Sequence, residues 1–201
     1  MIIVAAVSLL LGILCSQFSL LPDSWIHFFI DHSDAVLLLL MFLVGISIGN
    51  CKEVFQKVRT YHFRIFVIPI GIIAASVLGG ILSGFLLQMP LKDSTAIASG
   101  LGWYSLSGVM ITDLSGAEMG SIAFLSNLMR EAISFFLIPL LAKYLNYYTA
   151  IAPAAATSED TTLSLLIRYT SEEVVVLAVF NGVVCSAVVP VCIRFFYTIF
   201  S

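Results

Sequence analysis

Four charged residues interrupt stretches of this sequence that are otherwise apolar. Arg130 and Glu131 lie inside the apolar run 120–142, and Glu159 and Asp160 lie inside a second apolar run, 147–167. An ionisable side chain in the bilayer interior costs about 2.5–3.5 kcal/mol on insertion scales, so such residues usually line the path of a substrate or an ion. A membrane transporter is therefore the function that these four charges favour.

The first charged pair belongs to a set of three polar residues at helical spacing. Asn127 lies three residues before Arg130 and four before Glu131, so a helix would place all three on one face. Two interpretations fit this spacing. Arg130 can neutralise an acid and join helices, or the three side chains can form a site for a charged substrate or a proton relay.

The second charged pair follows a helix-breaking proline. Pro153 ends any helix before it, and Thr157 or Ser158 can cap a new half-helix that runs to about Arg168. Acids in the first turn would then complement the helix dipole, which is a purely structural explanation. In apolar surroundings, however, a carboxyl group can bind and release a proton near neutral pH, or pair with a cationic substrate.

A stretch rich in glycine and serine, residues 98–108, separates these charges from the N-terminal half. Its backbone groups and hydroxyls can serve a ligand, but small residues also pack helices closely in lipid. Trp103 and Tyr104 are either interfacial anchors or walls of a cation site. Asp113 follows this stretch, in a region that we predict to be a turn. The candidate residues of this region are Gly102, Trp103, Tyr104, Ser105, Ser107 and Asp113.

The composition limits the classes of protein that the chain can belong to. Of its 201 residues, 60% are apolar and 10% are charged, whereas soluble domains carry about 25% charged residues. We expect one integral membrane transporter domain over residues 1–201. No basic tract favours a nucleic acid, and the four cysteines form no CxxC motif, so neither a metal nor a cofactor is expected. Every histidine precedes residue 63, which disfavours an intramembrane serine hydrolase.

Hydrophobic segments define the expected fold, since a spanning helix needs about 20 apolar residues. We predict an all-α, polytopic transmembrane helix bundle with six or seven spans. The fourth and sixth segments look discontinuous, with non-helical backbone near 100–107 and 153–160. Such backbone survives at membrane depth only where protein buries it or water lines it, and paired broken helices indicate a transporter binding site. The segments are 1–22, 35–50, 65–91, 94–112, 120–142, 147–167 and 174–193.

The basic residues of loop 51–64 predict the orientation. This loop is expected on the cytoplasmic side, which also places Met1 in the cytoplasm. The start of the chain is apolar without a basic n-region, so we interpret it as a first helix rather than a cleaved signal peptide.

Four sequence stretches resemble the lysine exporter (LysO) family of bacterial membrane proteins. They are ASGLGWYSLSG at 98–108 with the TDLSG that follows it, SNLMREAISFFLIP at 126–139, AATSED at 155–160, and LLLLMFLVGISIGN at 37–50. The resemblance extends over nearly the whole chain, and the GWYSLSG and REAI motifs are its specific part.

The resemblance implies export of L-lysine and lysine analogues from the cytoplasm across the bacterial inner membrane. Antiport against protons, or alternatively sodium ions, would drive it. The acidic position of the family matches Asp160, whereas Glu159 falls on a variable neighbour. Lysine also carries a carboxylate, for which Arg130 is the candidate partner, with Glu131 or Asn127 orienting it.

The family also implies a partner. Full-length members carry an additional hydrophobic N-terminal third with a second intramembrane acid, and two-gene versions exist. We therefore expect either a small membrane subunit that supplies those helices or a homodimer, in contact with membrane lipid. Two alternatives stay open, a sodium-coupled carrier of another organic ion and a non-transporting assembly subunit.

Overall fold

The structure is a computed structural model that describes residues 65–201 continuously and scattered positions between 7 and 46. The chain divides into two units, Met1–Cys51 and Lys52–Ser201, and the second contains every candidate site residue. The first two predicted segments lie mostly outside the described residues, and loop 51–64, which carries the predicted orientation, lies entirely outside them.

Residues 65–201 form an all-helical assembly, as predicted, and no strand occurs among them. The helices are α1 Val67–Leu87, α2 Leu91–Ala98, α3 Tyr104–Ser115, α4 Ala117–Tyr144, α5 Leu163–Tyr169 and α6 Glu172–Ile199; Thr149–Ile151 and Ala155–Glu159 are short 3-10 helices. Three of these helices are long and apolar enough to cross a membrane, namely α1, α4 and α6, with 21, 28 and 28 residues. The chain is thus a helical membrane protein.

The predicted segment 94–112 comprises two short helices with turns between them. Helix α2 ends at Ala98 and α3 begins at Tyr104. Between them, Leu101 and Gly102 adopt φ angles of 50° and 92°, a left-handed conformation that cannot continue a right-handed helix. The helix resumes sooner than the sequence predicted, so Ser105 and Ser107 lie on α3 and not in non-helical backbone.

The predicted segment 147–167 contains the two 3-10 helices and α5. The prediction that Thr157 or Ser158 caps a half-helix is wrong, because α5 begins only at Leu163. The Thr157 hydroxyl donates to the Ala154 carbonyl at 2.9 Å, and the Ser158 hydroxyl donates to that of Ala155 at 2.7 Å. These hydroxyls bond backward to carbonyls three residues earlier, which competes with the forward bond that a cap makes.

Small residues allow the elements to pack closely. A Cβ atom added at Gly120 would lie 2.9 Å from the carbonyl oxygen of Gly108, so α3 and α4 approach each other almost backbone to backbone. A Cβ atom added at Gly182 of α6 would lie 2.6 Å from the backbone nitrogen of Glu159. The second 3-10 helix therefore lies directly on α6, and this contact fixes the position of Glu159, the first of the two adjacent acids.

Candidate functional site

The two interrupted segments touch where the turn after α2 meets the second 3-10 helix. The Ala156 amide donates to the Leu101 carbonyl at 3.1 Å. Ala155 shares the left-handed φ of 50° found at Leu101, and each such non-glycine residue costs about 1–3 kcal/mol. A Cβ atom added at Gly102 would lie 3.6 Å from Thr157 Cγ2 and 3.8 Å from Arg130 Cδ. The contact thus brings backbone from both segments next to α4.

Asn127 of α4 holds the first interrupted segment in place. Its amide group donates to the carbonyls of Ile97 at 3.1 Å and Ala123 at 3.0 Å, and its Oδ1 accepts from the Gly102 amide at 2.8 Å. The side chain is 3% exposed. All of its bonds go to backbone, so the structure gives Asn127 a positioning role and not one of orienting Arg130.

Arg130 faces the side of α1. Its Nη1 donates to Ser76 Oγ at 2.9 Å and its Nε to the Pro153 carbonyl at 3.4 Å. No carboxylate within residues 65–201 forms an ion pair with it, so the structure lends no support to Arg130 as the neutraliser of an acid. The guanidinium lines a cavity of about 330 Å³ together with hydroxyl groups of four serines, Ser76, Ser83, Ser94 and Ser126.

Glu131 is adjacent to Arg130 in sequence but lies among different neighbours. Its side chain is 1% exposed, and no described group donates a hydrogen bond to either carboxyl oxygen. Thr161, Asp160 and Tyr104 lie near this carboxyl, and no described hydrogen bond joins Glu131 to Arg130.

The adjacent acids Glu159 and Asp160 have different surroundings. Glu159 is half-buried and its Oε1 accepts from Ser186 Oγ of α6 at 2.8 Å. Asp160 is exposed, and its Oδ1 accepts from both the amide and the hydroxyl of Thr161, the latter at 3.2 Å. Of the two, Asp160 is the more exposed carboxylate.

A buried network anchors the backbone that carries these acids. Ser158 Oγ donates to the Ala178 carbonyl of α6 at 2.7 Å. Asn181 Nδ2 donates to the Ala155 carbonyl at 2.9 Å and to Ser158 Oγ at 3.0 Å. Ser158 and Asn181 are both fully buried. The network holds the second 3-10 helix on α6 and thereby sets the direction of Glu159 and Asp160.

The remaining candidates lie around α3. Trp103 precedes that helix, and the ring of Tyr104 meets that of Phe124 edge-on, with centroids 5.3 Å apart. Ser107 is buried and donates to the Tyr104 carbonyl at 3.4 Å. Ser105 and Asp113 are exposed on α3, and no described contact joins either of them to Asp160 or Arg130.

Sequence reasoning missed several polar partners. Ser76, Thr161 and Ser186 were not singled out, because single hydroxyls within apolar runs have no distinctive spacing. Asp93 was missed as well; its carboxyl is 6% exposed and accepts from Ser115 Oγ at 2.5 Å. Within the described part of the chain, no group of three or more histidine, cysteine, aspartate or glutamate residues is placed to hold a metal ion.

The sequence is similar to proteins of one family. The family model described as "Lysine exporter LysO" matches residues 6–197. The chain is 37% identical over 166 residues to a protein of Escherichia coli (strain K12) named "Lysine exporter LysO", covering 83% of this chain and 55% of that one. It is 36% identical over 197 residues to the "Putative lysine exporter" of Haemophilus influenzae, covering 94% of this chain and 93% of that one. No solved structure matches.

The relatives differ in length. The chain spans about half of the Escherichia coli protein but nearly all of the Haemophilus influenzae protein.

Proposed function

Because the chain belongs to the lysine exporter LysO family, we propose that it is a secondary transporter that exports L-lysine and lysine analogues from the cytoplasm. A proton moves inward as lysine moves outward. The protein is a multi-pass component of the bacterial inner membrane with six or seven spans. In two of these, the segments around 99–103 and 152–162, the helix is interrupted.

One observation carries this proposal, the contact between Leu101 and Ala156. Interrupted backbone leaves amides and carbonyls without helical partners, and in a membrane it persists only where protein buries it or water lines it. The contact places two such interruptions side by side, with Asp160 on the second segment and Arg130 beside Gly102 of the first. Paired interruptions with charges around them are the arrangement that substrate sites of transporters use.

In this proposal each end of lysine has a partner of opposite charge. Asp160 is an exposed carboxylate that is ready to accept hydrogen bonds from an ammonium group, and Glu159 adds negative charge beside it. Arg130 lines the serine-rich cavity and makes two described hydrogen bonds, and a guanidinium matches a carboxylate bidentately. The half-buried ring of Tyr104 adds an aromatic wall.

The functional assembly includes a partner. We propose either a small membrane subunit that supplies further helices or a second copy of this chain. The strongly exposed apolar side chains of α1, among them Leu82 at 69% and Leu86 at 84%, fit a helix that faces lipid or such a partner.

The experiment measures the growth of cells that lack their own lysine exporter in the presence of a toxic lysine analogue. This chain is expressed alone and together with each small membrane protein that a neighbouring gene encodes. At least one combination should restore growth and lower the intracellular lysine content. Unchanged sensitivity and unchanged lysine content in every combination, with the proteins present in the membrane, would contradict the proposal.

A further inference from the structure

Arg130 carries a positive charge that no described residue neutralises. It lies midway along α4, which is long and apolar enough to cross a membrane, and its side chain is half-buried. Its two described acceptors, the Ser76 hydroxyl and the Pro153 carbonyl, are both neutral, and no carboxylate within residues 65–201 forms an ion pair with it. An arginine at such a depth usually pairs with an opposite charge or lines the path of a ligand, so the guanidinium is suited to an anionic ligand.

The cavity beside Arg130 is lined by hydroxyl groups and by no acid. Its volume is about 330 Å³, and its lining residues come from α1, α2 and α4. Two of its serines already donate to carbonyls of their own helices, Ser83 to Gly80 at 3.0 Å and Ser94 to Leu91 at 3.3 Å. These two serines give the cavity a polar wall but have no proton left for a ligand.

The other two serines of the cavity retain hydroxyl protons for a ligand. Ser76 Oγ accepts from Arg130 Nη1 at 2.9 Å, and no described group accepts its own proton. Ser126 lies one turn before Arg130 on α4 and makes no described hydrogen bond. A guanidinium has five N–H donors, of which two have described acceptors. Hydroxyl and guanidinium donors around one cavity match the two acceptor oxygens of a carboxylate.

The remaining walls of the cavity are small and apolar. Ile97 and Ala98 line it from α2, and Gly79 and Gly80 line it from α1. A Cβ atom added at Gly80 would lie 2.8 Å from Ala98 Cβ, whereas one added at Gly79 would have nothing within 4 Å. Ligand pockets usually measure about 300–1,000 Å³, so this cavity is suited to a small molecule. Its apolar walls suit a short aliphatic chain attached to the anionic group.

We propose that this cavity is a binding site for short aliphatic carboxylates. Arg130 supplies the positive charge, and the hydroxyls of Ser76 and Ser126 donate to the carboxylate oxygens. Ser76 is in addition a positioning residue, because its Oγ holds the guanidinium at the cavity. The inference goes beyond the proposed function, since the cavity has no acid that would require an ammonium group on the ligand. The carboxylate can belong to lysine itself or to a separate monocarboxylate, and the experiment distinguishes these two sources.

The first measurement compares two ligands of the same shape and different charge. Hexanoate has the six-carbon chain of lysine without its ammonium groups, and hexanamide is the uncharged analogue of hexanoate. Binding of each labelled compound to the full chain in detergent is measured by equilibrium dialysis. Hexanoate should bind about 10- to 100-fold more tightly, which is the usual worth of a hydrogen bond to a charged group. Equal binding of hexanoate and hexanamide would overturn the proposal.

A substitution at Gly79 fills the cavity without removing a polar group. Gly79→Val should weaken hexanoate binding by at least about 10-fold, because its side chain takes up space that the ligand needs. Gly71→Val is the matched control, since Gly71 lies on the same helix, does not line the cavity and also has nothing within 4 Å. It should bind hexanoate at the parental affinity. Parental affinity in Gly79→Val as well would overturn the proposal.

Substitutions at Ser76 test its role even if Gly79→Val does not fold. Ser76→Ala should weaken hexanoate binding by about 10-fold and leave hexanamide binding unchanged, whereas Ser76→Thr keeps the hydroxyl and should retain hexanoate binding. Ser121→Ala removes an exposed hydroxyl that donates to its own helix, and it should bind both compounds normally. Equal losses of hexanoate and hexanamide in Ser76→Ala would contradict the positioning role.

Competition by lysine identifies the source of the carboxylate. Displacement of hexanoate by lysine, but not by 1,5-diaminopentane, which lacks the carboxylate, would show that the carboxylate of the substrate uses this site. Hexanoate binding that lysine does not reduce would assign the site to a separate monocarboxylate. The carboxylate site holds in both cases. If hexanoate binds as predicted while cells that contain the protein export no lysine, the proposed function has failed and the carboxylate site has not.

Discussion

The backbone amide of Ala156 donates a hydrogen bond to the backbone carbonyl of Leu101 at 3.1 Å, across 55 residues of sequence. This bond joins two segments whose helices are interrupted, and Leu101 and Ala155, the residue before Ala156, both have a left-handed φ of 50°. Because the two interrupted backbones bond to each other here, neighbouring side chains are free to bind other partners. The bond thus defines the centre of the proposed site.

The first prediction concerns Asn127, whose side chain makes three hydrogen bonds to backbone around this centre. Asn127→Ala would leave the buried Gly102 amide without its partner, at a cost of about 1–3 kcal/mol, whereas the Ile97 carbonyl would keep the bond from the Gly100 amide. We expect a clearly lower melting temperature in detergent and less protein in the membrane. Asn146→Ala is the matched control, because the amide that Asn146 caps is exposed and water can replace it; an equal loss in both variants would contradict the role of Asn127.

The second prediction concerns the close approach of Gly182 to Glu159. A Cβ atom at position 182 would lie 2.6 Å from Glu159 Cβ, so Gly182→Ala must displace the second 3-10 helix, at a cost of about 1–3 kcal/mol. Lysine export should fall because Asp160 moves with that helix. Gly71→Ala, on an open face of α1 with nothing within 4 Å, should export normally. Parental export by Gly182→Ala would show that the placement of this helix does not matter.

Part of this arrangement was predictable from the sequence, and the rest depends on three-dimensional contacts. Isolated charges in apolar runs made Arg130, Glu131, Glu159 and Asp160 candidates, and glycines and a proline predicted breaks in two segments. Their partners could not be deduced. Consecutive residues on a helix point about 100° apart, so the neighbours Arg130 and Glu131 face different elements. Which elements those are depends on tertiary packing.

The site was also less predictable than the fold because its supporting residues are inconspicuous. Ser76 and Ser186 are hydroxyl residues in apolar helices, and nothing in their spacing distinguishes them from serines that bond to their own helix. Only the approach of α1 to α4 gives Ser76 its partner Arg130, and only the packing of α6 against the second 3-10 helix gives Ser186 its partner Glu159.

The third prediction concerns the carboxylate of the substrate. Arg130→Lys replaces a planar fork by a point charge, and loss of one charge-assisted hydrogen bond weakens binding by about 10- to 100-fold. The measurement compares binding of lysine with that of lysinamide, which lacks the carboxylate. The variant should lose affinity for lysine and keep its affinity for lysinamide.

The control for this comparison is Arg194→Lys, which changes an exposed arginine of α6. It should preserve the preference of the parental protein for lysine over lysinamide. An equal preference in Arg130→Lys and in the parental protein would exclude Arg130 as the partner of the carboxylate.

The most direct measurement of the central claim is efflux of labelled lysine from liposomes that contain the functional assembly, with parental protein and with Asp160→Asn. The variant keeps the shape of the side chain but removes the charge that binds the ammonium group, and truncation of such a pair costs about 2–5 kcal/mol. We predict pH-dependent lysine efflux by the parental protein and a loss of at least about 30-fold in the variant, with assembly intact. Lysine efflux by Asp160→Asn at the parental rate and with the same pH dependence would contradict the account.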